Sequence, residues 1–171
     1  ADDDRLQAKS KIFTVYDPAC GTGGMLTVAE EHLRRINPTA RLHLFGQEIQ
    51  PESYAVCRTD MLLKGQDASR IVFGDSFTQD GHTGHRFDYM LANPPYGKDW
   101  KTIEKAIKRE HADHGFDGRF GAGLPATSDG QILFLQQMIS KMRPVDEGGS
   151  RIAVVFNGSP LFSGDAGSGM S

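Results

Sequence analysis

Residues 16–26 read "YDPACGTGGML". They join an apolar run, "IFTVYD" (12–17), to a pattern in which Met25, Leu26, Ala29, Leu33 and Ile36 recur at helical spacing, "GGMLTVAEEHLRRI" (23–36). A strand, a glycine-rich turn and a helix form the first half of a βαβ unit. The same alternation continues outward. "RLHLFGQEI" (41–49) reads as a strand, and "PESYAVCRTDMLLKG" (51–65) as a helix with Pro near its start and Gly at its end. "RIVFGD" (70–75) reads as a third strand and "RFDYMLANPP" (86–95) contains a fourth. "GQILFLQQMISKMR" (130–143) reads as a helix and "RIAVVFN" (151–157) as a fifth strand. Strands alternating with helices predict a doubly wound, Rossmann-like α/β sheet that is mostly parallel, with right-handed crossovers.

Ligands in such sheets bind outside the carboxyl ends of the strands. Asp17, Glu48, Asp75 and Asn93 each lie at or near the end of an apolar run, so four polar residues recur at equivalent positions. The glycine loop fits neither phosphate motif. The sixth position of a dinucleotide-type G-x-G-x-x-G is Leu26, and no Lys completes a P-loop. Asp17 would repel a phosphate beside the helix N-terminus but attract an ammonium. Glu48 suits ribose hydroxyls and Asp75 an adenine amino group. S-adenosylmethionine carries all three groups. The competing reading is that Asp17 and Asp75 only cap helices.

The second informative stretch is "LANPPYGKDW" (91–100). Two prolines end a strand because they cannot donate to its ladder. That accounts for the prolines but not for Asn93 before them or Tyr96 after them. An exocyclic amino nitrogen is a poor nucleophile because its lone pair is delocalised. The Asn93 side-chain carbonyl and a rigidly mounted Pro94 carbonyl are two acceptors able to localise it, and Tyr96 offers a face for stacking.

The strings "DPACGTGG" and "NPPY", in that order, resemble the amino-group DNA methyltransferases, in particular the modification (M) subunits of type I restriction–modification systems. "SDGQILFLQQMISKM" and "GGSRIAVVFNGSPLF" look like the next helix and strand of the same family. The resemblance implies a class I S-adenosylmethionine-dependent methyltransferase fold, and a site assigned residue by residue. Asp17, Pro18, Ala19, Gly21, Thr22 and Gly23 would form the cofactor loop. Glu48 would hold the ribose, with Ile49 against the adenine ring. Asp75, Ser76 and Phe77 would flank the adenine edge, and Phe134 would close its other face. Asn93, Pro94, Pro95 and Tyr96 would be catalytic. The implied reaction is methyl transfer from S-adenosylmethionine to N6 of an adenine flipped out of double-stranded DNA. The implied partners are a specificity (S) subunit, a restriction (R) subunit and a second M subunit. Alternatives from the same chemistry are a protein glutamine amide or an RNA base as acceptor. An alternative from a different class is a non-catalytic fragment that docks other subunits.

Composition bounds these readings. The 171 residues suffice for one domain, and a net charge of −3 is not that of a protein gripping DNA alone. No apolar stretch approaches the roughly 18 residues of a membrane span, and the start, "ADDDRLQAKSK", is not a signal peptide. A cytoplasmic location is therefore expected, with Cys20 and Cys57 as free thiols and no metal. The sequence further predicts a partial catalytic domain over 1–171 with its core at about 12–163 and outer strands missing. It also predicts a flexible Gly-rich loop over about 111–130 and a frayed tail over 158–171. The run "KDWKTIEKAIKR" (98–109) carries Lys98, Lys101, Lys105, Lys108 and Arg109 against Asp99 and Glu104. It is a candidate phosphate-contacting face.

Overall fold

In the computed structural model, residues 4–7, 11–95 and 97–156 are described. Five strands form one sheet in the order β3-β2-β1-β4-β5, and every pairing is parallel. The strands are β1 (Ile12–Asp17), β2 (Arg41–Glu48), β3 (Ile71–Phe73), β4 (Tyr89–Ala92) and β5 (Arg151–Val154). Helix α1 (Gly24–Ile36) joins β1 to β2, and α2 (Pro51–Leu63) joins β2 towards β3. Between β4 and β5 lie α3 (Glu104–His114) and α4 (Gln131–Ile139). The sheet is the parallel, Rossmann-like α/β sheet that the alternation of strands and helices predicts.

Strand periodicity sorts the core. Phe13 and Val15 of β1 pack with Leu26, Leu33, Cys57 and Met61 of α1 and α2, while Tyr16 packs on the opposite face with Phe87, Met90, Ala92 and Met138. A third cluster, Phe77, Trp100, Ile107, Phe120 and Leu133, forms a separate group.

The predicted elements are all present, and their ends differ for identifiable reasons. The third strand is three residues long rather than 70–75. Arg70 closes a short 3₁₀ turn capped by Asp67, and the strand ends before Gly74, whose backbone turns to φ +138° while its amide still donates to Glu48 O at 3.0 Å. The fourth keeps only Tyr89–Ala92, because Pro94 and Pro95 bring no N–H. The helix read over 130–143 ends at Ile139, and Met142 instead bridges to Phe87.

The Gly-rich segment differs most from its expected form as a flexible loop over 111–130. Its first four residues continue α3 as far as His114, and Gly115 at φ +52° ends the helix. Phe120 is then fully buried and Leu124 packs beside it. Phe120 and Leu124 pack this segment against Ile107 of α3 and Leu133 of α4, while Phe116 stays exposed. The tail over 158–171 and Tyr96 lie outside the described residues.

Candidate functional site

The strand order reverses between β1 and β4, where Asp17 ends one strand and Asn93 follows the other. Gly23 precedes α1 at φ +88° with no side chain capping the helix. A Cβ there would stand 2.8 Å from Cys57 Sγ. Gly46 of β2 has an equivalent constraint: a Cβ would meet Cys20 Sγ at 2.8 Å. The loop lies directly on β2, with the Cys20 amide donating to Gln47 O at 3.1 Å. Cys20 and Cys57 are buried free thiols whose sulfurs are 3.9 Å apart.

The acidic residues bind backbone around this turn. Glu48 spans two elements: the Gly21 amide donates to its Oε2 at 2.8 Å and the Gln50 amide to its Oε1 at 2.7 Å. Asp17 accepts from the Ala19 amide at 2.9 Å and is 2% exposed. Burial pushes its carboxyl up to about 7; the Ala19 amide pulls against this and the Glu48 charge adds to it. Asp75 Oδ1 accepts from the Phe77 amide at 2.7 Å. Each carboxylate thus bonds a nearby turn amide, and neither Asp17 nor Asp75 caps a helix as the competing reading had it. Such bonds do not exhaust a carboxylate, which offers about four acceptor sites.

A cavity of about 400 Å³ opens at these strand ends, within the range of small-molecule sites. Its wall includes Pro18, Ala19, Glu48, Ile49, Asp75, Ser76, Phe77, Asn93, Pro95 and Phe134, drawn from all the expected groups. Asp17, Gly21, Thr22, Gly23 and Pro94 stand outside the wall. Asp17 reaches it through Ala19, Gly21 donates its amide to Glu48, and Gly23 lets the loop pass close to Cys57 of α2. The rings of Phe77 and Phe134 are 4.6 Å apart between centroids, on one side of the cavity. A larger, more open cleft of about 1110 Å³ lies between α3 and α4. It holds none of the strand-end carboxylates and not Asn93, so the smaller cavity is the candidate site.

The sequence reading missed part of the wall. Lys98, Trp100, Thr102 and Ile103 come from the basic run and fold over the cavity. Trp100 is 3% exposed, and its indole N–H donates to Ala126 O at 3.0 Å. The available signal was the spacing of Trp100, Ile103 and Ile107, an apolar stripe inside a run that charge alone marks as a solvated face. Among the described residues no group of three or more His, Cys, Asp or Glu could hold a metal. No described helix is long and apolar enough to cross a membrane.

Comparison with known proteins agrees with the geometry. The family described as N-6 DNA Methylase matches residues 4–170. The type I restriction enzyme HindI methylase subunit of Haemophilus influenzae is 31% identical over 151 residues, 85% of this chain and 31% of that protein. The MjaIX methylase subunit of Methanocaldococcus jannaschii is 34% identical over 87 residues, 48% of this chain and 15% of that protein. Among solved structures, the type I restriction-modification methyltransferase subunit of Streptococcus thermophilus superposes with a TM-score of 0.67. It is 26% identical, over 91% of this chain and 32% of that one. The chain therefore spans about a third or less of the length of these relatives. On the extent of the family match, residue 4 to residue 170, the chain belongs to the N-6 DNA Methylase family.

Proposed function

We propose that this chain is the catalytic core of an S-adenosylmethionine-dependent methyltransferase acting on N6 of adenine in DNA, within a type I restriction–modification system. One observation carries the reading: Asn93 and Pro95 share a single cavity with Glu48, Asp75, Phe77 and Phe134. One acceptor for a target amino group, Asn93, and residues suited to a nucleoside therefore line the same space. The matched relatives named as methylase subunits support the DNA assignment. The test is calorimetry of the intact protein with S-adenosylmethionine, then methyl transfer to adenine-containing duplex DNA against a release-factor protein. Absence of cofactor binding, or transfer to the protein alone, would overturn the reading.

The donor set fits the cofactor. A buried carboxylate, Asp17, stands beside an uncapped helix N-terminus, and Gly21 leaves open space where a Cβ would stand. When bound, S-adenosylmethionine supplies an electrophilic methyl group on a sulfonium. Glu48 holds ribose hydroxyls, Asp75 accepts from the adenine amino group, and Ile49, Phe77 and Phe134 enclose the ring. The Asn93 side-chain carbonyl and the Pro94 backbone carbonyl accept from the target amino group and favour its pyramidal, partly positive form. Tyr96 stacks on the flipped base. The Asn-Pro-Pro segment holds the nitrogen in line, and no strong base is needed because proton loss follows transfer. No metal enters these steps. The proposed partners are double-stranded DNA with a flipped adenine, an S subunit, a second M subunit and an R subunit. The proposed setting is the cytoplasm.

Asp17 gives this reading a pH dependence. Its raised carboxyl stabilises the ligand-free fold below the ordinary value of about 4, and that contribution is lost as pH rises through about 7. An ammonium draws the carboxyl back down, so binding releases a proton below about pH 7. Cofactor affinity is expected to climb from about pH 6 to about pH 8 and then level off. Calorimetry in buffers of different ionisation heat measures the released proton, and Asp17→Asn should flatten the profile.

The basic run provides a second test. Lys98 and Lys101 are exposed, and Lys98 lines the cavity. Replacing both with Ala should weaken DNA binding across sequences and lower the log–log salt slope by about 2. Titrations at several salt concentrations measure that slope, and an unchanged slope would remove these lysines from the DNA interface.

A further inference from the structure

We propose that Arg119 is a positioning residue of the cofactor pocket, tying the segment after Asn-Pro-Pro to the turn that carries the adenine-side wall. The inference rests on the cofactor reading above and extends it to a residue outside the cavity wall. Guanidinium has five N–H donors in a fixed planar fork. Arg119 uses all five. Its Nε donates to Glu110 Oε1 at 2.7 Å and its Nη2 to Glu110 Oε2, a bidentate pair with α3. The remaining Nη2 hydrogen goes to Phe77 O at 2.7 Å. Nη1 donates to Ser76 O at 3.2 Å and to Gln137 Oε1 of α4 at 2.9 Å. The ion pair is about four-fifths buried on both sides.

The turn at Ser76–Phe77 is consequently held from two directions. The Asp75 carboxylate takes its Phe77 N–H at 2.7 Å, and Arg119 takes its carbonyls. Ser76 Oγ then donates to Pro18 O at 2.5 Å, carrying the restraint to the loop after β1. Pro18, Asp75, Ser76 and Phe77 all line the cavity. A chain of directional contacts thus runs from Glu110 on α3 through Arg119 to two walls of the pocket. Phe120, the next residue, is fully buried in the cluster that also holds Trp100 and Phe77, so Arg119 is delivered by a packed neighbour. A stabilising surface pair would need only the carboxylate. Two backbone carbonyls of one pocket turn, taken by one rigid fork, indicate placement of that turn.

The test compares the intact protein with Arg119→Lys and Glu110→Gln. Lysine keeps the charge but cannot reach five acceptors in a plane, and Gln keeps one acceptor for the fork. S-adenosylhomocysteine affinity, measured by calorimetry, is expected to fall about tenfold or more in Arg119→Lys and by less in Glu110→Gln. Turnover at saturating cofactor should stay within about threefold of the parent. Amide exchange at Phe77 and Thr78 should accelerate in Arg119→Lys while the β1–β2 ladder stays protected, a readout that needs no ligand. Ligand affinity within about twofold of the parent in both variants, with unchanged exchange at Phe77, would overturn the proposal and leave the cofactor reading standing. A parent protein that binds no S-adenosylhomocysteine would overturn the cofactor reading and this proposal together.

Discussion

Asn93→Ala is expected to lower turnover in the intact enzyme by about 10²- to 10³-fold while cofactor affinity stays within about threefold. Asn93 follows the last residue of β4 and lies on the cavity wall, and none of the proposed cofactor contacts is assigned to it. Its amide oxygen is needed only when charge develops on the target nitrogen. The loss should therefore fall on turnover rather than on binding. Asn93→Asp separates the two contributions: it keeps an acceptor and adds a charge, so residual activity should exceed that of the Ala variant. Single-turnover methyl transfer under saturating cofactor is the measurement. Near-normal turnover in Asn93→Ala would remove the proposed mechanism without touching the fold.

The second large effect is on stability. Lys141→Ala is expected to destabilise the protein by about 3–5 kcal/mol in denaturant unfolding. Lys141 follows α4 and is 3% exposed. Its ammonium donates to Asp80 Oδ2 at 2.7 Å and to His82 O at 2.9 Å. The partners respond differently to burial. Burial works to raise the Asp80 carboxyl, but Lys141 and the His82 amide hold it below its ordinary value. Burial lowers the Lys141 ammonium despite Asp80, because desolvation weighs more on the deeper group. The intact pair therefore adds little net stability, while removing one partner leaves an uncompensated buried charge. The double replacement Lys141→Met with Asp80→Leu should recover most of the loss. A small effect of Lys141→Ala would mean that water reaches Asp80 freely once the ammonium is gone.

The fold was legible in the sequence to the extent that its elements are local. The six-residue run before the glycine loop, the helical spacing after it and Pro51 near a helix start each report a backbone preference that neighbours do not override. The carboxylates at strand ends were legible because a parallel sheet places every strand end on one side. The Gly-rich segment was harder. Five glycines and a proline suggest freedom, but Phe120 and Leu124 find partners on α3 and α4, and burial outweighs local permissiveness. The basic run concealed Trp100 for the opposite reason: its charges dominate the composition while Trp100 and Ile103 line the pocket.

By itself, then, the sequence determined the alternation of strands and helices, the glycine turn after β1 and the polar residues at or near the ends of the first four strands. These depend on periodicity and on conformations that only certain residues adopt. Only the tertiary structure decided the strand order, the closure of the cavity by the segment after Asn-Pro-Pro, and the use of every Arg119 donor. Those features join residues far apart in the chain, such as Arg119 and Ser76 or Trp100 and Ala126. No local spacing encodes such pairings; they arise when buried polar groups must find partners and apolar side chains must find cover.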